Sequence, residues 1–227
     1  MGCKWYLAMT ATEFHGVRHA EPIAWMSCRF SSHNTGLCNL PQSLPPDSLI
    51  LLDDSDPIEH HDPDRVVSQL QQLCRTHAPA GMVLDLQRPK TKATQNMVRA
   101  ISKSLPCPVA VTEQYGDITS GPLLVSAPIH LSLKQVIASW KNRQVWVDLP
   151  FGMQTVLGTD ISPVMPLEDG EFPYYDKFLH CRYRTASTPQ GIQFTLCRTR
   201  QMLSPLLQEA DRLGIGKAIG LYQEYKK

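Results

Sequence analysis

Ala80-Gly81-Met82-Val83-Leu84-Asp85-Leu86-Gln87-Arg88-Pro89 is a short apolar strand that ends in polar side chains. Successive side chains along a strand point to opposite faces. Val83, Asp85 and Gln87 therefore share one side, and Met82, Leu84 and Leu86 the other. In a closed parallel barrel both sides are buried, and the polar pair sits at the carboxyl end, where barrel enzymes place their sites.

The neighbours of this stretch keep its rhythm. Upstream, Leu49 to Leu52 reads as a strand ending in Asp53-Asp54-Ser55-Asp56-Pro57. Asp62-Pro63 then reads as a helix cap with proline in the first turn, followed by Val66, Val67, Leu70, Leu73 and Cys74 at helical spacing. Strand, helix and strand in this order make a right-handed βαβ unit. Downstream the unit recurs: a helix marked by Met97, Val98, Ile101 and Leu105, and a strand at Val109 to Thr112 ending in Glu113-Gln114-Tyr115. A strand at Pro122 to Ala127, a helix through Leu133, Val136, Ile137 and Trp140, and a strand at Val145 to Leu149 follow.

Residues 151–190 interrupt the pattern with Gly, Pro and acidic residues, and Met153 to Leu157 is at most a short strand. This stretch reads as an excursion or lid. The alternation resumes with Ile192 to Leu196, a helix from about Arg200 to Leu213 stopped by Gly214, and a strand at Ala218 to Tyr222. Before the quoted stretch, Ile23 to Phe30 is a strand, and residues 4–14 are a first strand or an N-terminal arm. Eight or nine strand candidates with helices between most of them fit an α/β fold, an eight-stranded (β/α)8 TIM-type barrel with short helices. The alternative, a doubly wound open sheet, lacks a Gly-x-Gly-x-x-Gly fingerprint. The expectation is one barrel domain over 1–227, with 1–22 as strand or arm.

With 227 residues, 42% of them hydrophobic and 19% charged, the chain has an ordinary globular composition. A net charge of +1 offers no broad footprint for nucleic acid. Seven cysteines, at 3, 28, 38, 74, 107, 181 and 197, are odd in number and form no Cys-x-x-Cys pair, which reads as reduced, mostly structural thiols in a cytoplasmic protein. No stretch is long and apolar enough to span a bilayer. Met1-Gly2-Cys3 opens like a lipidation signal, but Tyr6 stands where the myristoylation pattern has Ser or Thr.

The quoted stretch resembles glycoside hydrolase family 18, the chitinase-like barrels, which carry Asp-Gly-x-Asp-x-Asp-x-Glu on one strand. In that register Gly81 and Asp85 match, whereas Ala80 and Val83 replace the first two aspartates and Gln87 replaces the catalytic glutamic acid. The closing Leu213-Gly214 and small-residue strand also look like the family's ending, so the similarity covers about residues 48–224. The resemblance implies a barrel. It also implies a site that has lost its acid: in the family the glutamic acid protonates the leaving oxygen while the substrate's N-acetyl group attacks, oriented by the neighbouring aspartate. An amide supplies no such proton, but it donates and accepts hydrogen bonds. Asp85 and Gln87 are then either ligand-facing or a polar plug in the barrel mouth.

Other strand ends add candidates. Glu113 and Asp148 close apolar strands, and Asp53-Asp54 and Glu224 stand at two more ends, although Asp53-Asp54 also reads as a turn cap. Tyr115, Tyr222 and Trp146 are placed to stack on sugar rings or to pack as core. Glu59-His60-His61-Asp62 reads as a solvated loop rather than a metal site, because no third imidazole stands at helical spacing. No Gly-x-Ser-x-Gly elbow, Walker loop or His-Glu-x-x-His is present, and no cofactor is expected. Two functions remain open. One is a lapsed chitinase-like barrel that binds an oligosaccharide or small ligand through Asp85, Gln87, Glu113, Tyr115, Asp148 and Tyr222. The other is a hydrolase in which Asp85 and Glu113 have taken over the chemistry.

Overall fold

The computed structural model describes residues 2–16, 22–158 and 170–226. Of the two stretches set apart in the sequence, 1–22 and 151–190, residues 1, 17–21 and 159–169 lie outside it. Seven parallel strands come first: β1 (Lys4–Met9), β2 (Ile23–Phe30), β3 (Leu49–Asp53), β4 (Gly81–Asp85), β5 (Val109–Thr112), β6 (Leu123–Ser126) and β7 (Val145–Asp148). Four strands of a separate sheet follow, β8 (Gly152–Gly158), β9 (Tyr174–Asp176), β10 (Cys181–Thr188) and β11 (Gly191–Arg198), and then β12 (Lys217–Leu221). β1 to β7 each pair with the next in parallel, β7 pairs with β12, and β12 pairs with β1. The sheet therefore closes into an eight-stranded parallel barrel whose seam is made by the first and last strands.

Alternation divides the side chains as the sequence predicts. Tyr6, Leu49, Leu51, Val83, Ala110, Trp146 and Ile219 meet inside the barrel, while Met82, Leu84 and Leu86 join the larger core between strands and helices. Val83, in the place of the motif's middle aspartate, is thus a filler of the barrel interior, level with Leu51 and Ala110. At the amino end of the strands Trp146 fills the barrel. Gly81 makes room for it, since a Cβ there would come within 2.6 Å of Trp146 Cη2. Lys217 Nζ lies 4.9 Å from the Trp146 ring centroid and 5.1 Å from that of Tyr6, whose hydroxyl it meets at 3.2 Å, so this end is plugged.

The helices are α1 (Ala11–Gly16), α2 (Pro63–His77), α3 (Lys92–Ser104), α4 (Leu133–Val136), α5 (Leu203–Arg212) and α6 (Tyr222–Tyr225). α2 starts at the Asp62 cap, whose side chain accepts from the Asp64 amide with Pro63 in the first turn, and buries Val66, Leu70, Leu73 and Cys74. The helix expected through Trp140 is shorter: α4 ends at Val136, and a 3-10 turn, Ala138–Trp140, completes it.

The structure corrects two readings of the strands. Met153 to Leu157 is not a marginal strand but the middle of seven-residue β8. Ile192 to Leu196 is not a barrel strand: it lies in β11, antiparallel to both β10 and β8. The physical reason is its alternation. Ile192, Phe194 and Leu196 pack with Val156 and Tyr183 on one face, while Gln193, Thr195 and Cys197 take the other. That is the pattern of a half-covered antiparallel sheet, not the continuous apolar run of Leu49 to Leu52. β11 is moored by Arg198, 1% exposed, which donates to the carbonyls of Ala127, Pro150 and Leu179 at 3.0–3.5 Å.

Candidate functional site

The open end of the barrel, at the carboxyl ends of the strands, holds a cavity of about 560 Å³. Its floor is apolar, from Ala8, Met26, Leu51, Leu124 and Ile219, and its polar rim comes from Asp85, Gln87, Thr112, Glu113, Ser126 and Asp148. Strand register explains the convergence. Asp85 is level with Asp53 and Ser126 with Asp148, so polar residues on neighbouring parallel strands meet at the rim, while Thr112 is level with Leu124 of the floor.

Each rim group is held differently. Gln87 Nε2 donates to Asp85 Oδ1 at 2.5 Å, which joins the two residues of the quoted stretch. Burial pushes the Asp85 carboxyl above the usual range. The Gln87 amide partly offsets this, and repulsion from Asp53 and Asp54 adds to it. Asp148 is pushed further, to about 6, by burial first and then by the charges of Glu224 and Asp85. Its carboxylate accepts no hydrogen bond among the described residues. Glu113 opens a 3-10 turn, Glu113–Tyr115, and accepts from Trp140 Nε1 at 3.0 Å.

Behind the rim, Asp54 fixes the chain that follows β4. It is 3% exposed, and its two oxygens accept the amides of Gln87 at 2.8 Å and Arg88 at 2.9 Å. Arg88 in turn donates to the carbonyls of Asp54 at 2.7 Å and Ser55 at 2.6 Å. Asp53 accepts the Ser55 amide at 2.8 Å, the turn-capping role its position before Pro57 allows. Glu224 accepts the Phe151 amide at 3.0 Å. Thr112 and Gln114 both donate to the carbonyl of Leu86, at 3.1 and 2.6 Å.

Asp85, Gln87, Glu113 and Asp148 are therefore brought together, and the two tyrosines are not. Tyr115 is fully buried in the core outside the barrel, because the 3-10 turn carries it away from the mouth. Tyr222 begins α6 and packs against the same core. Trp146 lies at the plugged end. His61 meets the Ser31 carbonyl at 3.1 Å and packs edge-on against Phe30. Thr112 and Ser126 are rim residues that sequence reasoning missed. The signal was available, since Thr112 alternates with inward-facing Ala110, and Ser126 with Leu124.

The rim carries three carboxyl groups and, among the described residues, no lysine, arginine or histidine lines the cavity. Carboxylates, an amide and hydroxyls above an apolar floor suit a ligand with many hydroxyl groups and apolar C–H faces. Such an arrangement does not repel a cation and does repel an acid. No group of three or more His, Cys, Asp or Glu among the described residues is arranged to hold a metal ion.

No family model and no curated protein matches the sequence. Solved structures are similar in fold. The spore cortex-lytic enzyme SleL of Bacillus cereus superposes with a TM-score of 0.60 at 9% identity, over 97% of this chain and 70% of that one. A chitinase of Chromobacterium violaceum gives 0.56 at 8% identity, over 98% and 95%. A family 18 chitinase of Cycas revoluta, in complex with an N-acetylglucosamine trimer, gives 0.53 at 10% identity, over 96% and 94%. A variant of the Cycas enzyme with a glycine-to-tryptophan and a glutamate-to-glutamine change, in complex with the tetramer, gives 0.51 at 10% identity over the same shares. In fold, this chain resembles the chitinase-like barrels of glycoside hydrolase family 18.

Proposed function

We propose that the barrel binds a neutral or cationic oligosaccharide at its mouth and does not cleave it by the mechanism of the barrels it resembles. The observation that carries this reading is Gln87, an amide bonded to Asp85 at the rim of the cavity, where the resemblance calls for an acid. A glutamine cannot protonate a leaving oxygen but can hold a sugar hydroxyl. The Cycas variant supports the reading by analogy, since a glutamate-to-glutamine change there accompanies a bound tetramer. The absence of cations among the described residues of the lining argues against acidic sugars.

Asp85 contributes more to binding than Gln87, because an ionised acceptor makes hydrogen bonds roughly twice as strong as a neutral one. The test is calorimetric titration of N-acetylated, free-amine and uronic-acid oligosaccharides, with melting curves as a folding control. Expected are binding of a neutral or cationic member, none of the acidic one, and about tenfold weaker binding in Asp85→Asn, with a smaller loss in Gln87→Ala. If no sugar binds, the reading fails. If sugar binds and Asp85→Asn is silent, the pocket lies elsewhere on the mouth.

A second reading is favoured by Asp148. A carboxyl held protonated up to about pH 6 at the rim of the cavity suits general acid catalysis, so a hydrolase on this barrel has Asp148 as a candidate acid beside Asp85 and Glu113. Turnover of an aryl oligosaccharide that disappears in Asp148→Asn would establish it.

A further inference from the structure

Away from the mouth, two cysteines from different βα units touch. Cys74 lies in the last turn of α2, and Cys107 in the loop between α3 and β5; their sulfur atoms are 3.8 Å apart. The sequence around Cys107 reads Leu105-Pro106-Cys107-Pro108. A proline on each side restricts its backbone, and a residue before proline is kept extended. Both partners are also fixed independently of their sulfurs. Gln71, one turn before Cys74, donates to the Ser104 carbonyl at 3.1 Å, and the Pro108 carbonyl accepts the Met82 amide at 2.9 Å. The two thiols are thus held in contact by groups that gain nothing from the contact itself.

From this geometry we infer that Cys74 and Cys107 are a modification site, a dithiol that closes to a disulfide by exchange with a small-molecule disulfide. The hydrogen bond from Cys107 holds the Cys74 thiol below its ordinary value and leaves Cys107 above its own, so Cys74 is the thiol that ionises first. The Cys74 sulfur attacks one sulfur of the reagent, forming a mixed disulfide and releasing one small thiolate. Cys107 then attacks the Cys74 sulfur and releases the second. The reagent's S–S bond breaks, the Cys74–Cys107 bond forms, and the two protons lost by the protein appear on the two small thiols released. Cys107 is partly exposed and Cys74 is buried; closure brings their sulfurs from 3.8 Å to bonding distance, about 2.05 Å.

The closed form ties the end of α2 to the entry of β5 and spans α3, so it shortens the unfolded chain by a loop of over thirty residues and raises the melting temperature by roughly 5–10 °C. The experiment treats the reduced protein with excess oxidised glutathione at pH 8, blocks remaining thiols with iodoacetamide, and maps unreduced peptides by mass spectrometry. Expected are a Cys74–Cys107 cross-linked peptide, a raised melting temperature reversed by dithiothreitol, and, in Cys107→Ser, glutathione trapped on Cys74. Recovery of Cys74 and Cys107 as separately alkylated or separately glutathionylated peptides would overturn the inference, as would pairing of either with another of the seven cysteines.

Discussion

Asp148 is a carboxylate that the folded chain holds at a cost. Its folded value of about 6 lies above the ordinary aspartate value, so the folded state binds the proton more tightly than the unfolded state does. Below about pH 4 both states are protonated and there is no penalty. As pH rises from about 4 to about 6 stability is lost, and above that the loss is complete. Asp148→Asn is therefore expected to be more stable than wild type at pH 7.5 by on the order of 1–3 kcal/mol, with the gain gone at pH 4; melting curves at the two values check it. Restoring the acid at Gln87 should do little. Gln87→Glu would set a carboxyl against Asp85 at hydrogen-bond distance, where two charges cannot both stand, and Val83 would still leave Asp85 without the motif's middle aspartate. General acid catalysis alone contributes about 10²–10⁴-fold, so we expect no chitin-oligosaccharide hydrolysis above background in a fluorogenic assay; turnover at chitinase-like rates would refute this. The facing of Asp85 and Gln87 was legible in the sequence because alternation along a strand is a local rule. Tyr115 was misplaced because a 3-10 turn begins two residues before it, and a turn after a strand end is not set by that rule.

Elements show the same division between local and distant causes. The barrel strands were legible as short, continuously apolar runs, and α2 and α3 as amphipathic stretches with caps. β11 reads as a barrel strand by its length and apolar content, but its strict alternation puts it in the antiparallel sheet. What moors its sheet, Arg198 reaching Ala127, Pro150 and Leu179, joins four separate segments and leaves no mark in sequence order. Arg198→Leu would strand those carbonyls and is expected to cost about 2–5 kcal/mol, read by urea unfolding, with early loss of protection in β10 and β11 on hydrogen exchange. Gly81 is the counterpart inside the barrel. Gly81→Ala drives a methyl into Trp146 and to 3.1 Å from the Pro108 carbonyl, so a loss of about 1–3 kcal/mol is expected in the same measurement. The matched glycine of the motif is thus explained by packing at the plugged end of β4, while the chemistry of the motif sits at its other end.

For the whole molecule, the resemblance drawn over residues 48–224 was short by two strands, since β1 and β2 are needed to complete the eight. β1 is held on both sides, by β2 from Leu7 to Met9 and by β12 from Lys4 to Ala8. Deleting residues 1–10 would leave two unpaired edges, and the product is expected in the insoluble fraction or as soluble aggregate by light scattering. A native-like circular dichroism spectrum from a soluble monomer would contradict this. The seam has a consequence for how the molecule is made. A ribosome delivers β1 before every other barrel strand and β12 after them, so the nascent chain holds its opening strand on one edge of an unfinished barrel, with no partner for the exposed side until β12 emerges. Closure waits for β12, and chains stalled before Lys217 should remain protease-sensitive however complete their inner βα units are. Quality control acting on this protein would therefore monitor a single late step, the arrival of five residues at an edge that has waited for them since the beginning.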